Sequence, residues 1–390
     1  MKNIKKIKNS QKLKVNNRTF FIADDEQSEV YNQIKNELIR KYNISTSNRD
    51  VIIKSLISHI TQGDYINNSI PKIDLMILRT DIKNFFPSIN KHKLYQKLNN
   101  SNILSHSTIH ILKEALFSNK VEGVPLGLQF SSHLAELYLE DFDAEIKKTF
   151  QPIVYFRYVD DIIIINYDFT KNKQEQTKIQ TEMLSNIDNI FTKYSLKRNL
   201  KKTEFSSYKK GNLSSDLKFD YLGYQFKSND SQLIIGIAQE KIVKVEKKIK
   251  SYFFNFKKGS RSNKEFWTLY YKLKNTIHGV TSYDKRGKQF KFGLGYHYRF
   301  VTEETCILKI INIIKSLIYS CNLSAYKTGT LLSIINYDLT SGKPTDLLNK
   351  RFNYLKLTTF QKELITKRLN VPWLSTSSTF SKRLFFILYS

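Results

Sequence analysis

The sequence predicts an α+β protein, on three observations: an apolar run that ends in an acid, a second apolar stretch split by two adjacent acids, and a long basic tail of helical period. Residues 73–82, IDLMILRTDI, have the length and apolar content of a buried strand that delivers Asp81 to its end. Residues 153–165, IVYFRYVDDIIII, are two β-branched and aromatic runs interrupted by Asp160 and Asp161, a hairpin with acids at its tip. Another hairpin is expected around 216–236. Val30, Ile34, Leu38 and Ile39 recur at helical spacing over 28–42, and 51–60 reads the same way. Residues 90–118 read as mostly helical, and a helix is expected near 173–195. Leu134, Leu137, Tyr138 and Phe142 share a helix face over 131–146. The preceding VEGVPLGLQFSS, with two glycines and a proline, marks a loop. Beyond residue 238, basic amphipathic helices are expected near 238–257, 265–277, 302–320 and 358–369, with a glycine- and base-rich loop at 285–300. Residues 1–14 form a lysine-rich arm, expected to be mobile.

With 390 residues, 41% hydrophobic, the chain has material for a real core and exceeds one compact domain. No apolar stretch reaches the eighteen or so residues of a membrane span, and the lysine-rich start lacks the apolar run of a signal peptide, so a cytoplasmic location away from membranes is expected. Cys306 and Cys321 are too few for a disulfide framework and fit no zinc spacing. The formal net charge of +28 points to a polyanionic partner. Its distribution is uneven: residues 241–390 hold 28 basic and 8 acidic side chains, against 35 and 27 in residues 1–240. Part of the lysine content also fits a Lys-, Asn- and Ile-rich coding bias.

An Asp-Asp pair in a hairpin is most often a simple turn. Here, however, the pair stands between YFRYV and IIII, against a buried sheet, where uncompensated carboxylates are costly unless a cation joins them. Asp81 at a strand end and Asp160 with Asp161 at a hairpin tip are what two magnesium ions would need, since magnesium takes a few carboxylates plus phosphate oxygens and water.

RTDIKNFFPSIN, GVPLGLQFSSHLAELYL, YFRYVDD, NLKKTEF and FDYLGYQF resemble, in order, motifs A to E of the reverse transcriptases. The resemblance covers about residues 75–228. It implies a right-hand polymerase fold with fingers, a palm built on an antiparallel sheet and a thumb, followed by a basic, mainly α-helical C-terminal region. The implied layout is a basic arm at 1–14, fingers and palm at 15–236, a thumb at 237–300 and a helical extension at 301–390. The implied activity is RNA-directed DNA polymerisation from dNTPs on an RNA template to a DNA product, with two Mg2+ ions, or Mn2+ in their place.

Carried over position by position, Asp81 and Asp160 are the essential metal ligands, with the Ile82 carbonyl as a further contact and Asp161 in support. Phe86 matches the steric gate against a 2′-hydroxyl; the alternative is an ordinary core phenylalanine, and Phe85 beside it could equally be the packed one. Gly123, Pro125, Gly127 and Ser131 fit a loop whose backbone approaches the nucleotide, and Ser131 the nucleic acid. Leu126 stands where the family usually has glutamine, which puts a polar contact there in doubt. Lys202 suits protonation of the leaving pyrophosphate, and Tyr221, Leu222 and Gly223 resemble the primer grip. Arg49 and Lys54 are candidates for the triphosphate, with Lys72 and Arg79 behind them. Tyr298 and Arg299 lie in an aromatic and basic segment suited to RNA, or equally to internal packing.

The short fingers and the FFPSI sequence resemble bacterial retron, abortive-infection and defence-associated reverse transcriptases. Retrons usually have alanine where Val159 precedes the acids, so the resemblance leans to the defence-associated and abortive-infection side. That implies anti-phage defence with a structured non-coding RNA. An RNA-dependent RNA polymerase and a non-catalytic RNA-binding scaffold are the competing readings. The priming mode, a partner protein and self-association stay open at this level.

Overall fold

Consecutive β-branched and apolar residues make the central sheet, because strands buried on both faces need no polar alternation. The computed structural model describes residues 11–15, 18–117, 121–210, 217–283, 288–337, 342–371 and 377–389. Two compact units divide the chain, Met1–Leu222 with Asp230–Gln232, and Gly223–Asn229 with Leu233–Ser390.

The first unit opens with a hairpin, β1 (Gln11–Val15) and β2 (Arg18–Ile22), then α1 (Asp25–Tyr42) and α2 (Arg49–Ile60). Next come β3 (Leu75–Asp81), a short α3 (Phe85–Ser88), α4 (Lys91–Asn100), α5 (His106–Phe117) and α6 (Ser131–Phe150). After these run β4 (Val154–Tyr158), β5 (Asp161–Tyr167), α7 (Lys173–Lys193), β6 (Glu204–Tyr208) and β7 (Lys218–Tyr221). The central sheet is antiparallel in the order β4-β5-β3-β6. On one face of it Met76, Leu78, Ile162 and Ile164 join a core built with α1 and α4 to α7. On the other, Leu75, Ile77, Ile163 and Ile165 are buried too, and α2 packs against β4. Phe142 of α6 is fully buried and meets Phe191 and Tyr194 edge-on, with ring centroids 5.1 and 5.8 Å away.

The second unit contains β8 (Tyr224–Asn229), β9 (Gln232–Ile237, its first residue in the first unit), α8 (Gln239–Lys258), α9 (Asn263–Ile277), β10 (Gly279–Tyr283) and β11 (Gln289–Phe292). Then follow α10 (Leu294–His297), α11 (Glu304–Tyr319), α12 (Ala325–Ile335), β12 (Arg351–Asn353), α13 (Thr359–Leu369) and α14 (Ser377–Tyr389). A small sheet of order β11-β10-β12 sits among these helices. Helix α8 buries Ile242, Ile249, Phe253 and Phe256 and turns its lysines outward, as its period requires. A capping box of Ser262 and Glu265 starts α9. Among the described residues no helix is long and apolar enough to cross a membrane.

The α+β class expected from the sequence is the one observed, with several local differences. Residues 1–10 of the expected mobile arm lie outside the described residues, and residues 11–15 are strand β1, held by its pairing with β2 although Lys12 to Val15 are exposed. The stretch at 90–118 is two helices, because α4 stops at Ser101 and Asn102 takes a left-handed φ of 52°. The hairpin at 216–236 is three strands. The loop at 285–300 contains β11 and α10, and its residues 285–287 lie outside the described residues. Helices α12 and α14 were not anticipated.

Phe142→Ala should lower the unfolding free energy by about 3–5 kcal/mol, the usual result of emptying a large aromatic site between packed helices. Urea unfolding followed by far-UV circular dichroism measures it.

Candidate active site

The antiparallel register places Asp81, the last residue of β3, directly across from Asp161, the first of β5. The Ile82 amide donates to the Asp160 carbonyl at 3.0 Å, which ties the end of β3 to the β4–β5 turn. One carboxylate oxygen each from Asp81, Asp160 and Asp161 therefore lies within 4.8 Å of the others. Asp81 is 4% exposed, and Oδ1 of Asp161 is buried without a hydrogen bond, the Arg79 guanidinium standing 3.8 Å off. Burial and the neighbouring acids hold both hairpin carboxyls above their usual range: Asp160 is raised by burial and Asp81, and Asp161 is pushed up to about 6 by burial and Asp160. Three clustered oxygen ligands, one lacking any donor, are a donor set that suits a hard divalent cation.

The turn that presents Asp160 has a conformational cost. Tyr158 pairs with Asp161, so Val159 and Asp160 form a two-residue loop in which Val159 has a φ of 59°. A β-branched residue in the left-handed region costs roughly 1–3 kcal/mol and persists only where its surroundings impose it. Arg157 is such a surrounding. Its guanidinium donates to the Val159 carbonyl at 3.1 Å, to Asp143 at 2.8 Å and to Glu136 at 2.6 Å. It is 8% exposed, and although burial opposes its charge, the two carboxylates hold its pKa above the usual arginine range.

Residues 197–203 run along the end of β3. The Lys83 amide donates to the Lys197 carbonyl at 2.8 Å, and the Asn199 amide to the Asp81 carbonyl at 2.8 Å. Asn199 Nδ2 then donates to Asp81 Oδ1 at 2.9 Å, while Lys202 Nζ meets Asp81 Oδ2 at 2.7 Å. Lys202 thus reaches the acids, as expected from its motif. Burial opposes its charge, but the bond to Asp81 and the field of Asp161 and Asp160 raise its pKa. The contacts of Asn199 were missed: asparagine was read only as part of the NLKKTEF match, and its reach to Asp81 depends on the fold.

A cavity of about 820 Å³ opens beside Asp160, lined by Arg18, Phe86, Glu122, Leu126 and Val159 among others. Both Phe85 and Phe86 line the cavity; Phe85 is 4% exposed and belongs to the core, whereas Phe86 is half-buried and packs against that core. The 123–127 loop is bound to the opening hairpin: the Phe21 amide donates to the Leu126 carbonyl at 2.7 Å. Gly127 has a φ of 97°, and a Cβ there would lie 2.5 Å from the Phe21 carbonyl oxygen. Gly123 has a φ of 58°, and a Cβ there would collide with the carbonyl oxygen of Phe86. Side chains are excluded at both positions, so the backbone itself forms the wall.

Several expected contacts fall elsewhere. Arg49 does not line the cavity; its Nε and Nη2 donate to the Leu222 carbonyl at 3.1 and 2.7 Å, bracing the turn after β7. Lys54 is exposed on α2. The cavity's basic residue is Arg18, in the hairpin that the reading of residues 1–14 as an arm left out of account. Ser131 is 3% exposed and donates to the Pro125 carbonyl at 2.5 Å, so it fixes the loop and is shut off from nucleic acid. Tyr221 is fully buried, its hydroxyl 3.4 Å from the carbonyls of Phe156 and Asp161. Leu222 and Gly223 form the turn that follows it, both with positive φ. In the second unit Tyr298 is 8% exposed and packs edge-on against Tyr224, centroids 5.3 Å apart, so it is a core ring. Arg299 is exposed beside the Phe300 ring.

A family model described as "Reverse transcriptase (RNA-dependent DNA polymerase)" matches residues 30–226, just over half of the chain. Among solved structures, the chain is similar to an apo telomerase from Candida tropicalis truncated from its C-terminal domain, at 16% identity and a TM-score of 0.35. That match covers 54% of this chain, and the chain spans 44% of the telomerase structure's length. A search of curated proteins found no match.

Arg157→Ala leaves Glu136 and Asp143 without their shared cation and frees the strained turn. The expected loss is about 3–5 kcal/mol of stability, read from urea midpoints.

Proposed function

This chain belongs to the reverse transcriptase (RNA-dependent DNA polymerase) family, and we propose that it is an RNA-directed DNA polymerase, a nucleotidyltransferase that adds dNTPs to a primer. The observation that carries the reading is the meeting of the Asp81, Asp160 and Asp161 carboxylates within 4.8 Å at the mouth of a cavity. Asp81 and Asp160 would hold two magnesium ions, with Asp161 and the Ile82 carbonyl in support; manganese suits the same oxygens. When bound, such ions neutralise the charge that builds up on the attacking and leaving oxygens.

The chain's own residues do the rest. Arg18, whose charge is felt at Asp160, meets the triphosphate from the hairpin side. Phe86 lies under the sugar and clashes with a 2′-hydroxyl, which selects deoxynucleotides. The carbonyl of Leu126 is already used by Phe21, so its side chain offers the nucleotide an apolar contact where the family's usual residue is polar. Lys202 has a half-exposed side chain that can leave Asp81 and give a proton to the departing pyrophosphate. Tyr221, Leu222 and Gly223 present the primer end, braced by Arg49. Residues 237–300 act as the thumb, and 301–390 form a C-terminal helical extension.

Two buried free thiols, Cys306 and Cys321, fit a reducing compartment, and we place the protein in the cytoplasm. Its FFPSI motif and Val159-Asp160-Asp161 turn support a place among the defence-associated reverse transcriptases, acting against phage with a structured non-coding RNA as template.

Primer extension on an RNA template tests the activity. Asp160→Ala should lower the rate by at least a thousandfold, while Phe86→Ala should keep dNTP incorporation and gain rNTP incorporation. Ribonucleotide use by the wild type would instead make it an RNA polymerase, and a cellular effect that survives Asp160→Ala would make it a scaffold. Arg18→Ala should raise the KM for dNTPs about tenfold or more, the loss of one charge-assisted phosphate contact; an unchanged KM removes Arg18 from the triphosphate site.

A further inference from the structure

We propose that the second unit carries its own groove for single-stranded nucleic acid along α12, in which exposed tyrosines stack on bases and lysine and arginine side chains take the phosphates. Two hollows adjoin there. One, of about 510 Å³, is lined by Trp267, Tyr270, Tyr326, Thr330 and Arg368 among others. The second, of about 830 Å³, is lined by Lys315, Tyr319, Leu332, Asn336 and Tyr337 among others. Gly329 and Ser333 belong to both, so the hollows run together over α12, and none of the described residues lining either is acidic.

Tyr319 and Tyr326 are 62% and 70% exposed, large rings held in solvent by helices whose other faces are buried. The Arg368 guanidinium lies 3.6 Å from the Trp267 ring centroid and its Nη1 is 3.4 Å from the Tyr271 hydroxyl, which holds it in place at the rim. Lys350 Nζ donates to the Ser333 carbonyl at 3.3 Å. Lys274, behind them, is pushed down to about 8 by burial, with Arg368 and Lys350 adding to it. Among the described residues, none of Lys274, Lys315, Lys350 and Arg368 is within ion-pair distance of a carboxylate. Such a cluster repels itself until a polyanion arrives.

Gly329 gives the independent signal. It lies in the interior of α12, where glycine costs about 0.8–1.0 kcal/mol relative to alanine. Its φ is not left-handed, and a Cβ added to it would meet nothing within 4 Å. Neither backbone conformation nor packing calls for glycine here. A bare helix surface where two hollows join does, however, let a ligand chain approach closely. Exposed rings beside cations that are not ion-paired among the described residues suit bases whose faces are open, as in a single strand; a duplex hides those faces in its own stack.

The test uses the full chain and fluorescence anisotropy of a labelled, unstructured 20-nucleotide RNA at physiological salt. Excess unlabelled hairpin primer–template occupies the polymerase site. The wild type should bind the RNA, and Tyr319→Ala with Tyr326→Ala should weaken binding about tenfold or more. Gly329→Leu should weaken it equally while its melting temperature stays level or rises, because leucine is the better helix former. Extension of the hairpin should be unchanged in all variants. Wild-type affinity in these variants, or an equal loss for duplex RNA of the same length, would overturn the proposal. The first result would leave the groove to an acidic protein partner, the second to plain electrostatics. A lower melting temperature for Gly329→Leu would count against it too, by showing that the fold needs the glycine.

Discussion

Three carboxylates are held within 4.8 Å of one another at the end of a buried sheet, and the rest of the first unit is arranged around that repulsion. At an effective dielectric of about 20, each charged pair at such a distance costs on the order of 3–4 kcal/mol. Folding alone would move them apart. They stay because Asp81 and Asp161 are locked in register by a strand pairing with fully buried flanks, and because Lys202, Asn199 and Arg79 offset part of the charge. The remaining deficit is visible as the raised pKa of Asp160 and Asp161. Such a site has the electrostatics that suit a divalent cation.

The same economy governs the turn before Asp160. Val159 is bent into a conformation it disfavours, and Arg157 answers with one bond to the strained carbonyl and two carboxylates behind it. Across the cavity, the 123–127 loop has no side-chain freedom at its glycines and is bonded to the β1–β2 hairpin through Phe21 and Leu126. The acids, Phe86 and Arg18 are therefore held by backbone hydrogen bonds and, around Arg157, by buried ion pairs. That rigidity suits a site in which positioning carries most of the catalysis.

The second unit follows another logic. Its helices bury apolar stripes and leave lysines outside, so most of the chain's net positive charge lies in a region with few acids to answer it. Around α12 the structural needs of the fold leave exposed rings, clustered cations and a glycine without a fold-level reason. A nucleic-acid ligand accounts for all three together.

The sequence by itself determined the strand that ends in Asp81, the hairpin that presents Asp160 and Asp161, and the α+β class, because apolar period, β-branched runs and turn residues are local signals. Only the tertiary structure decided that Phe86 is the less buried of the two phenylalanines that line the cavity, that Asn199 holds Asp81, and that Arg18, rather than Arg49 or Lys54, lines that cavity. It alone decided that Ser131 and Tyr298 are spent on internal packing. The physical reason is the same in each case: a side chain's partners far along the chain are set by strand register and helix docking, and no local pattern of residues encodes which of two neighbours, or which of sixty-three basic side chains, those long-range contacts will turn toward the site.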